Sequence, residues 1–268
     1  MNDDLIILDG CTFVYSDGSG DVEAEEAEGF FYQDVRHLSR WLLRIDGEAL
    51  EPLTSRRVDY YSARIVGTQE DGDAPPIAVR RDRFVSEGMH EDIVIQNLRT
   101  EPCTFRLELS YASDFADVME AEKGGVDSAG RQWTEVRKRS VALWEDREGY
   151  RRGTILTFNR LGTVGREKAR FKVELGPRET WSLCIDVTPV VDGERRPPML
   201  RCGAFHHPAP KVPIPLDKWL DTAPEIVTGE RKRNASTGRA CSTSRRFACG
   251  RTPSGSSGRC PAAASRGT

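Results

Sequence analysis

Phe171-Lys-Val-Glu-Leu175, Gly176-Pro-Arg-Glu179 and Trp181-Ser-Leu-Cys-Ile-Asp-Val187 make up the stretch that decides the fold. Apolar and polar residues alternate on both sides of a Gly-Pro turn signal. The spacing predicts two strands, each with one apolar face, joined as a β-hairpin. The same period of two recurs in Phe105, Leu107, Leu109 and Tyr111, and in Ile93 and Ile95 within Glu91 to Asn97. Trp41-Leu-Leu-Arg-Ile45 runs into the turn pair Asp46-Gly47, and Ser140 to Trp144 and Thr154 to Phe158 read as further strands. No stretch before about residue 190 carries the 3.6-residue period of a long amphipathic helix. Many short strands with frequent turns predict an all-β protein, an antiparallel β-sandwich.

The chain has 268 residues and a formal net charge of −3, but the charge is unevenly placed. From Arg231 to Thr268 there is no Asp or Glu, while nine Lys and Arg residues occur, so all 42 acidic side chains precede this tail. Phe247 is its only large apolar residue, so it cannot bury enough surface to offset its ordering entropy and is expected to be disordered. One explanation is a basic tail that binds polyanions; the other is a reading-frame shift in a GC-rich gene. Taking the third base of each codon with the first two of the next, and GC-rich codons, Ala240 through Cys249 encode Leu-Leu-Asp-Leu-Ala-Ala-Leu-Arg-Leu. That string has helical apolar spacing, unlike the visible text. The division expected is a sandwich over 1–195, a Pro-rich linker and the start of a helical linker over 196–230, and the disordered, frameshifted tail over 231–268.

The acidic start and its short apolar run do not make a signal peptide, and nowhere do about 18 apolar residues follow one another. Neither a membrane nor, outside the tail, a nucleic acid is an expected partner. Cys11, Cys103, Cys184 and Cys202 are scattered singly, with no CxxC or Cys/His spacing. This predicts reduced thiols in a cytoplasmic protein with no metal and no cofactor. The Glu23 to Glu28 cluster reads as a solvated loop.

Three segments resemble the N-terminal domain of bacterial glycogen-debranching, amylo-alpha-1,6-glucosidase-like proteins. They are Gly29-Phe-Phe-Tyr-Gln-Asp-Val-Arg-His-Leu-Ser-Arg-Trp41 with its continuation to Gly47, Arg80 to Asn97, and Ser113-Asp-Phe-Ala-Asp-Val-Met-Glu120. Leu53 to Ala63 fits the same domain, and the resemblance covers roughly residues 5 to 195. In the alternative frame, Arg259 to Thr268 encode Val-Pro-Gly-Gly-Gly-Leu-Pro-Trp-Tyr, which looks like that family's entrance to its catalytic domain. The resemblance implies a supersandwich-like β-sandwich joined by a helical linker to an (α/α)6 toroid. In the family the toroid carries the carboxylates that hydrolyse α-glucosidic linkages. It further implies that α-glucan is a partner only through that catalytic domain, and that an uncovered domain interface promotes self-association.

No catalytic residue is expected in this chain. The signature positions Asp34, Arg36, Arg40, Trp41, Asp114, Phe115, Asp117 and Glu120 are expected to serve structure or a domain interface. Asp114 and Asp117 are close in sequence, yet carboxylates at a strand-to-loop corner usually accept backbone N–H groups or pair with arginine. Asp34 and Arg36 share a parity, and a buried or interface ion pair between them is expected in preference to contact with sugar. Trp41 and Trp181 lie within strand alternation and read as core; Trp133 and Trp144 stay open between core and sugar stacking. His37 and the pair His206-His207 have no partner pattern and read as incidental, and Gly18 and Gly20 as a turn. Two further readings remain open: a stand-alone carbohydrate-binding sandwich, and a polyanion binder through the tail.

Overall fold

The computed structural model of the chain describes residues 4–23, 27–69, 77–124, 126 and 130–199. Most of the expected linker, the basic tail, Cys202 and His206-His207 therefore lie outside the described residues. In chain order come β1 Leu5–Asp9, β2 Thr12–Ser16, β3 Gly29–Tyr32, β4 Val35–Leu38, β5 Arg40–Ile45 and β6 Glu48–Ala49. Next are β7 Glu51–Asp59, β8 Ser62–Gln69, β9 Ile77–Ser86, β10 Gly88–Asn97, β11 Cys103–Ala112 and the helix α1 Val118–Glu122. The last are β12 Arg131–Arg137, β13 Ser140–Arg147, β14 Tyr150–Phe158, β15 Thr163–Val164, β16 Lys168–Leu175, β17 Thr180–Val191 and β18 Glu194–Arg195. The described chain is nearly all β, built from antiparallel sheets with one short helix at the margin.

A large sheet runs β12-β13-β14-β17-β10-β9-β8-β7, with β18 added on β17, and a second runs β15-β16-β11-β5-β6. Their inner faces supply one core. Ile93, Ile95, Leu183, Ile185 and Val187 come from the large sheet; Trp41, Leu43, Leu107, Leu109, Phe171 and Val173 come from the other. A third sheet, β1-β2-β3-β4, closes one end and adds Ile7, Val14 and Phe30 to the same core. Burial strictly every second residue along β16 and β11 is the alternation that the sequence displays.

The expected hairpin between β16 and β17 is not formed. Leu175 of β16 pairs with Cys103 of β11, whereas Val187 of β17 pairs with Met89 of β10, so the Gly176–Glu179 link crosses from one sheet to the other. Phe171 and Trp181 meet across the sandwich with ring planes tilted by 57° and centroids 6.1 Å apart, instead of sharing a ladder. Alternation states which face of a strand is apolar, not which strand is its neighbour, and both arrangements bury the same residues. Trp181 is half-buried against the core, with the Arg160 guanidinium 5.0 Å from its ring centroid.

A second crossover, 98–102 between β10 and β11, lies beside the first, and Asn97 ties the two. Its Nδ2 donates to the Glu101 carbonyl at 2.7 Å and to the Gly176 carbonyl at 3.0 Å, while Oδ1 accepts from the Arg99 amide at 2.9 Å. Its backbone N–H also reaches the Glu179 carbonyl. Because Asn97 is fully buried, Asn97→Ala leaves carbonyls without donors and is expected to cost about 3 kcal/mol. A lowered urea midpoint at unchanged slope would register this; an unshifted midpoint would contradict it.

The cysteines depart from expectation. Cys103 is a free thiol, but Cys11 and Cys184 are each disulfide-bonded. Scattered single cysteines say nothing about which positions approach in space, and the support that reduced thiols lent to a cytoplasmic location is removed. Among the described residues, no helix is long and apolar enough to cross a membrane. Glu28 is also buried, not solvated: its carboxylate accepts from the Glu23 amide at 2.9 Å.

Candidate functional site

The β3–β4 hairpin turns through Gln33 and Asp34, both in left-handed conformation (φ 48° and 65°), the geometry of a tight two-residue hairpin. This turn leaves Asp34 exposed and sends Arg36 inward, fully buried. The two do not form the expected ion pair. A residue inside a left-handed turn no longer shares a face with the strand residue two positions on. Arg36 instead reaches 78 positions away, where its Nε lies 3.1 Å from both Asp114 oxygens and Nη2 reaches Oδ2. Its Nη1 donates to the Glu28 carbonyl at 3.1 Å. Gly29 makes room for this side chain: a Cβ there would stand 2.7 Å from Arg36 Cδ.

The loop carrying Asp114 is fastened to the same hairpin. The Arg36 amide donates to the Ala116 carbonyl at 2.8 Å, and the Val118 amide to the Asp34 carbonyl at 3.0 Å. Asp117 caps α1, accepting from the Glu120 amide at 2.8 Å, while Glu120 Oε2 accepts from the Asp117 amide at 2.9 Å. Asp117-Val-Met-Glu120 is thus a reciprocal capping box, a signal present in the sequence. Phe115, with φ 54°, is buried edge-on against His37, 5.7 Å between centroids. Six of the eight signature positions therefore gather in one knot. Arg40 stands exposed at the start of β5, and Trp41 points into the sandwich.

There Trp41 Nε1 donates at 3.1 Å to Glu91, the centre of a buried ionic network. Arg81 and Arg83 each bring Nε to 2.7 Å from a Glu91 oxygen. Arg81 Nη1 reaches Asp21 Oδ1 at 2.6 Å, and Arg83 Nη2 the Gly20 carbonyl at 2.6 Å. Gly20 sits in the expected turn, at φ 80°. Burial alone would raise the Glu91 carboxyl, but the two guanidinium charges outweigh it and hold it below the usual range. Burial pulls Arg83 down. None of Arg81, Arg83, Glu91 and Asp21 was among the candidate residues, although the sequence holds a signal. Arg81, Arg83 and Glu91 occupy the core parity of their strands, with Val79, Arg81, Arg83 and Val85 on β9 and Met89, Glu91, Ile93 and Ile95 on β10, whereas Asp21 lies in the loop after β2.

In chemical terms both clusters are closed. Asp114 and Glu91 are engaged by guanidinium groups, and Asp117 and Glu120 by backbone amides. General-acid work calls for a carboxyl pushed up and within reach of substrate; Glu91 is pushed down and buried. Among the described residues no group of three or more His, Cys, Asp or Glu is placed to hold a metal ion.

Two buried histidines titrate in opposite directions. Burial takes His37 down to about 3, the Gly153 carbonyl opposing it. At His90 burial also pulls downward, but hydrogen bonds to Asp186 at 2.6 Å and Asp92 at 3.1 Å win and lift it to about 9. A folded-state value raised above the unfolded ~6.5 gives stability that is complete below pH ~6.5 and is lost as pH rises through about 9. Wild type should therefore lose its advantage over His90→Gln between pH 6.5 and 10, by about 2 kcal/mol given that Asp186 is half-exposed. Thermal melts of both proteins across that window check this; a difference independent of pH would contradict it. For His37 the sign reverses, and its contribution fades as pH falls from ~6.5 toward 3.

Trp133 and Trp144 are neither core nor fully solvated. They are cross-strand partners on the outer face of β12 and β13, centroids 6.1 Å apart and planes 17° from parallel. Trp144 lies flat on β14, where a Cβ at Gly153 would stand 2.4 Å from its ring.

A family model described as the N-terminal domain of some glycogen debranching enzymes matches residues 7–186. No curated protein matches the chain. Among solved structures, a human-microbiome protein described as a kojibiose phosphorylase superposes with a TM-score of 0.54 at 8% identity. The alignment covers 90% of this chain and 34% of that one, so this chain spans about a third of its neighbour's length. An Escherichia coli K12 protein described as an aldose 1-epimerase reaches a TM-score of 0.43 at 8% identity, over 71% of this chain and 100% of that one. At such identities the first likeness extends to the fold alone, and the second carries no weight.

Proposed function

Because the chain belongs to the family of N-terminal domains of glycogen debranching enzymes, we propose that its sandwich is a non-catalytic buttress for a toroidal glycoside hydrolase domain. The observation that carries this reading is the state of the signature carboxylates. Glycoside hydrolysis uses one carboxyl that gives up a proton and a second that attacks or activates water. Asp114, Asp117 and Glu120 are spent on Arg36 and on backbone amides instead. Their knot fixes β4, the loop after β11 and α1 as one rigid corner, which suits a docking role. α-Glucan is then a partner through the toroid.

The toroid belongs, in this reading, to the alternative frame that opens within 231–268. The DNA following codon 230 tests it. A continuous open frame encoding the apolar helical string and then a long α-helical domain supports the proposal; stop codons scattered through both other frames would defeat it. Self-association is expected through β7, whose Leu53 and Val58 are exposed, at 64% and 50%, on an edge strand. A second reading, a carbohydrate-binding sandwich, is favoured by one observation, the partly exposed pair Trp133 and Trp144.

A further inference from the structure

The outer face of β12, β13 and β14 has the make-up of a sugar platform. Two partly exposed indoles lie nearly parallel on it, and Gly153 lets Trp144 lie flat against the strand beneath. Pyranose rings present C–H faces that suit aromatic surfaces, while their hydroxyls need donors and acceptors at the margin. The margin supplies both. Arg151 carries its guanidinium 5.5 Å from the Trp133 centroid, and Asp146, Arg131 and Glu135 lie in register around the pair. Arg151 is 61% exposed and only 3.9 Å from Asp146, so a ligand displaces it at little cost.

Arg131, Arg137 and Arg151 stand on this rim with Glu135 and Asp146, so donors and acceptors alternate around the indoles. The carboxylates interleaved with the arginines oppose a polyanion, whereas a neutral polyol meets hydrogen-bonding groups of both kinds. We propose that this face binds an α-linked glucan chain, Trp133 and Trp144 stacking on its sugar rings. The proposal deepens the family assignment and rests on it only for the choice of α-glucan.

Maltoheptaose titrated into the full chain, followed by calorimetry and by 19F NMR of 5-fluorotryptophan protein, tests the proposal. Saturable binding is expected, with the signals of Trp133 and Trp144 moving among the five indoles while that of buried Trp41 stays in place. The variants Trp133→Phe and Trp144→Phe assign those signals, and Trp133→Ala and Trp144→Ala should each weaken binding at least tenfold. Should an alanine variant fail to fold by circular dichroism, the wild-type NMR titration decides alone. No saturable binding, unmoved Trp133 and Trp144 signals, or equally tight binding of the β-linked cellohexaose would overturn the proposal. Failure here leaves the buttress reading intact, because that reading is judged by sugar release and not by sugar binding.

Discussion

Glu91→Gln is expected to destabilise the protein by about 3–5 kcal/mol, because it strands two buried guanidinium groups without their counter-charge. Arg81 and Arg83 are each 1% exposed, so neither can turn to water without opening the sandwich. Trp41 would keep a hydrogen-bond acceptor in the amide oxygen, which isolates the charge effect from the loss of the indole contact. For a domain of this size the melting temperature should fall by about 10 °C or more. A fall of only one or two degrees would show that water or rearrangement compensates the pair. Exchanging Arg81, Arg83 and Glu91 together for apolar residues of similar volume is expected to cost far less, since it removes the charges and their desolvation together.

Arg36→Ala is expected to cost about 3 kcal/mol and to loosen the corner that carries Asp114, Phe115 and α1. The guanidinium makes contacts in a fixed fork with both Asp114 oxygens and with the Glu28 carbonyl. Lysine offers a point charge without that fork, so Arg36→Lys should recover less than half of the loss. The Asp114 side chain is 25% exposed and can recruit water, which keeps the effect below that at Glu91. Urea midpoints of the three proteins check the order. Hydrogen exchange should show faster opening in residues 113–122 than elsewhere; uniform protection would contradict the view that Arg36 holds this loop.

Much of the strand pattern was legible because alternation reports a local property, the face each side chain takes. Phe105, Leu107, Leu109 and Tyr111 announce β11, and Asp46-Gly47 its neighbouring turn, with positive φ at both residues. Pairing was not legible at Gly176–Glu179, since the turn looks alike whether the chain folds back beside itself or crosses to the facing sheet. The crossover is tied down by Asn97, 79 positions from Gly176. The Asp114–Arg36 pair is equally non-local, and Asp34 competed for it on parity that a left-handed turn cancels. By contrast, the capping box of Asp117 and Glu120 and the inward charges of Arg81, Arg83 and Glu91 were readable from spacing alone. The backbone-accepting role expected for Asp117 is the one it takes, while the partners of the three inward charges lie far apart in the chain. The disulfide bonding of Cys11 and Cys184 leaves no mark in the local sequence.

Incubation of the purified 268-residue chain with an α-1,6-branched glucan, followed by quantifying free glucose, addresses the central claim most directly. A sandwich whose carboxylates are committed to Arg36, to the Glu91 network and to backbone amides should release none above the buffer blank. Glucose release that persists through purification and is abolished by Asp114→Asn or Glu120→Gln in a folded protein would place chemistry in this domain and contradict the account.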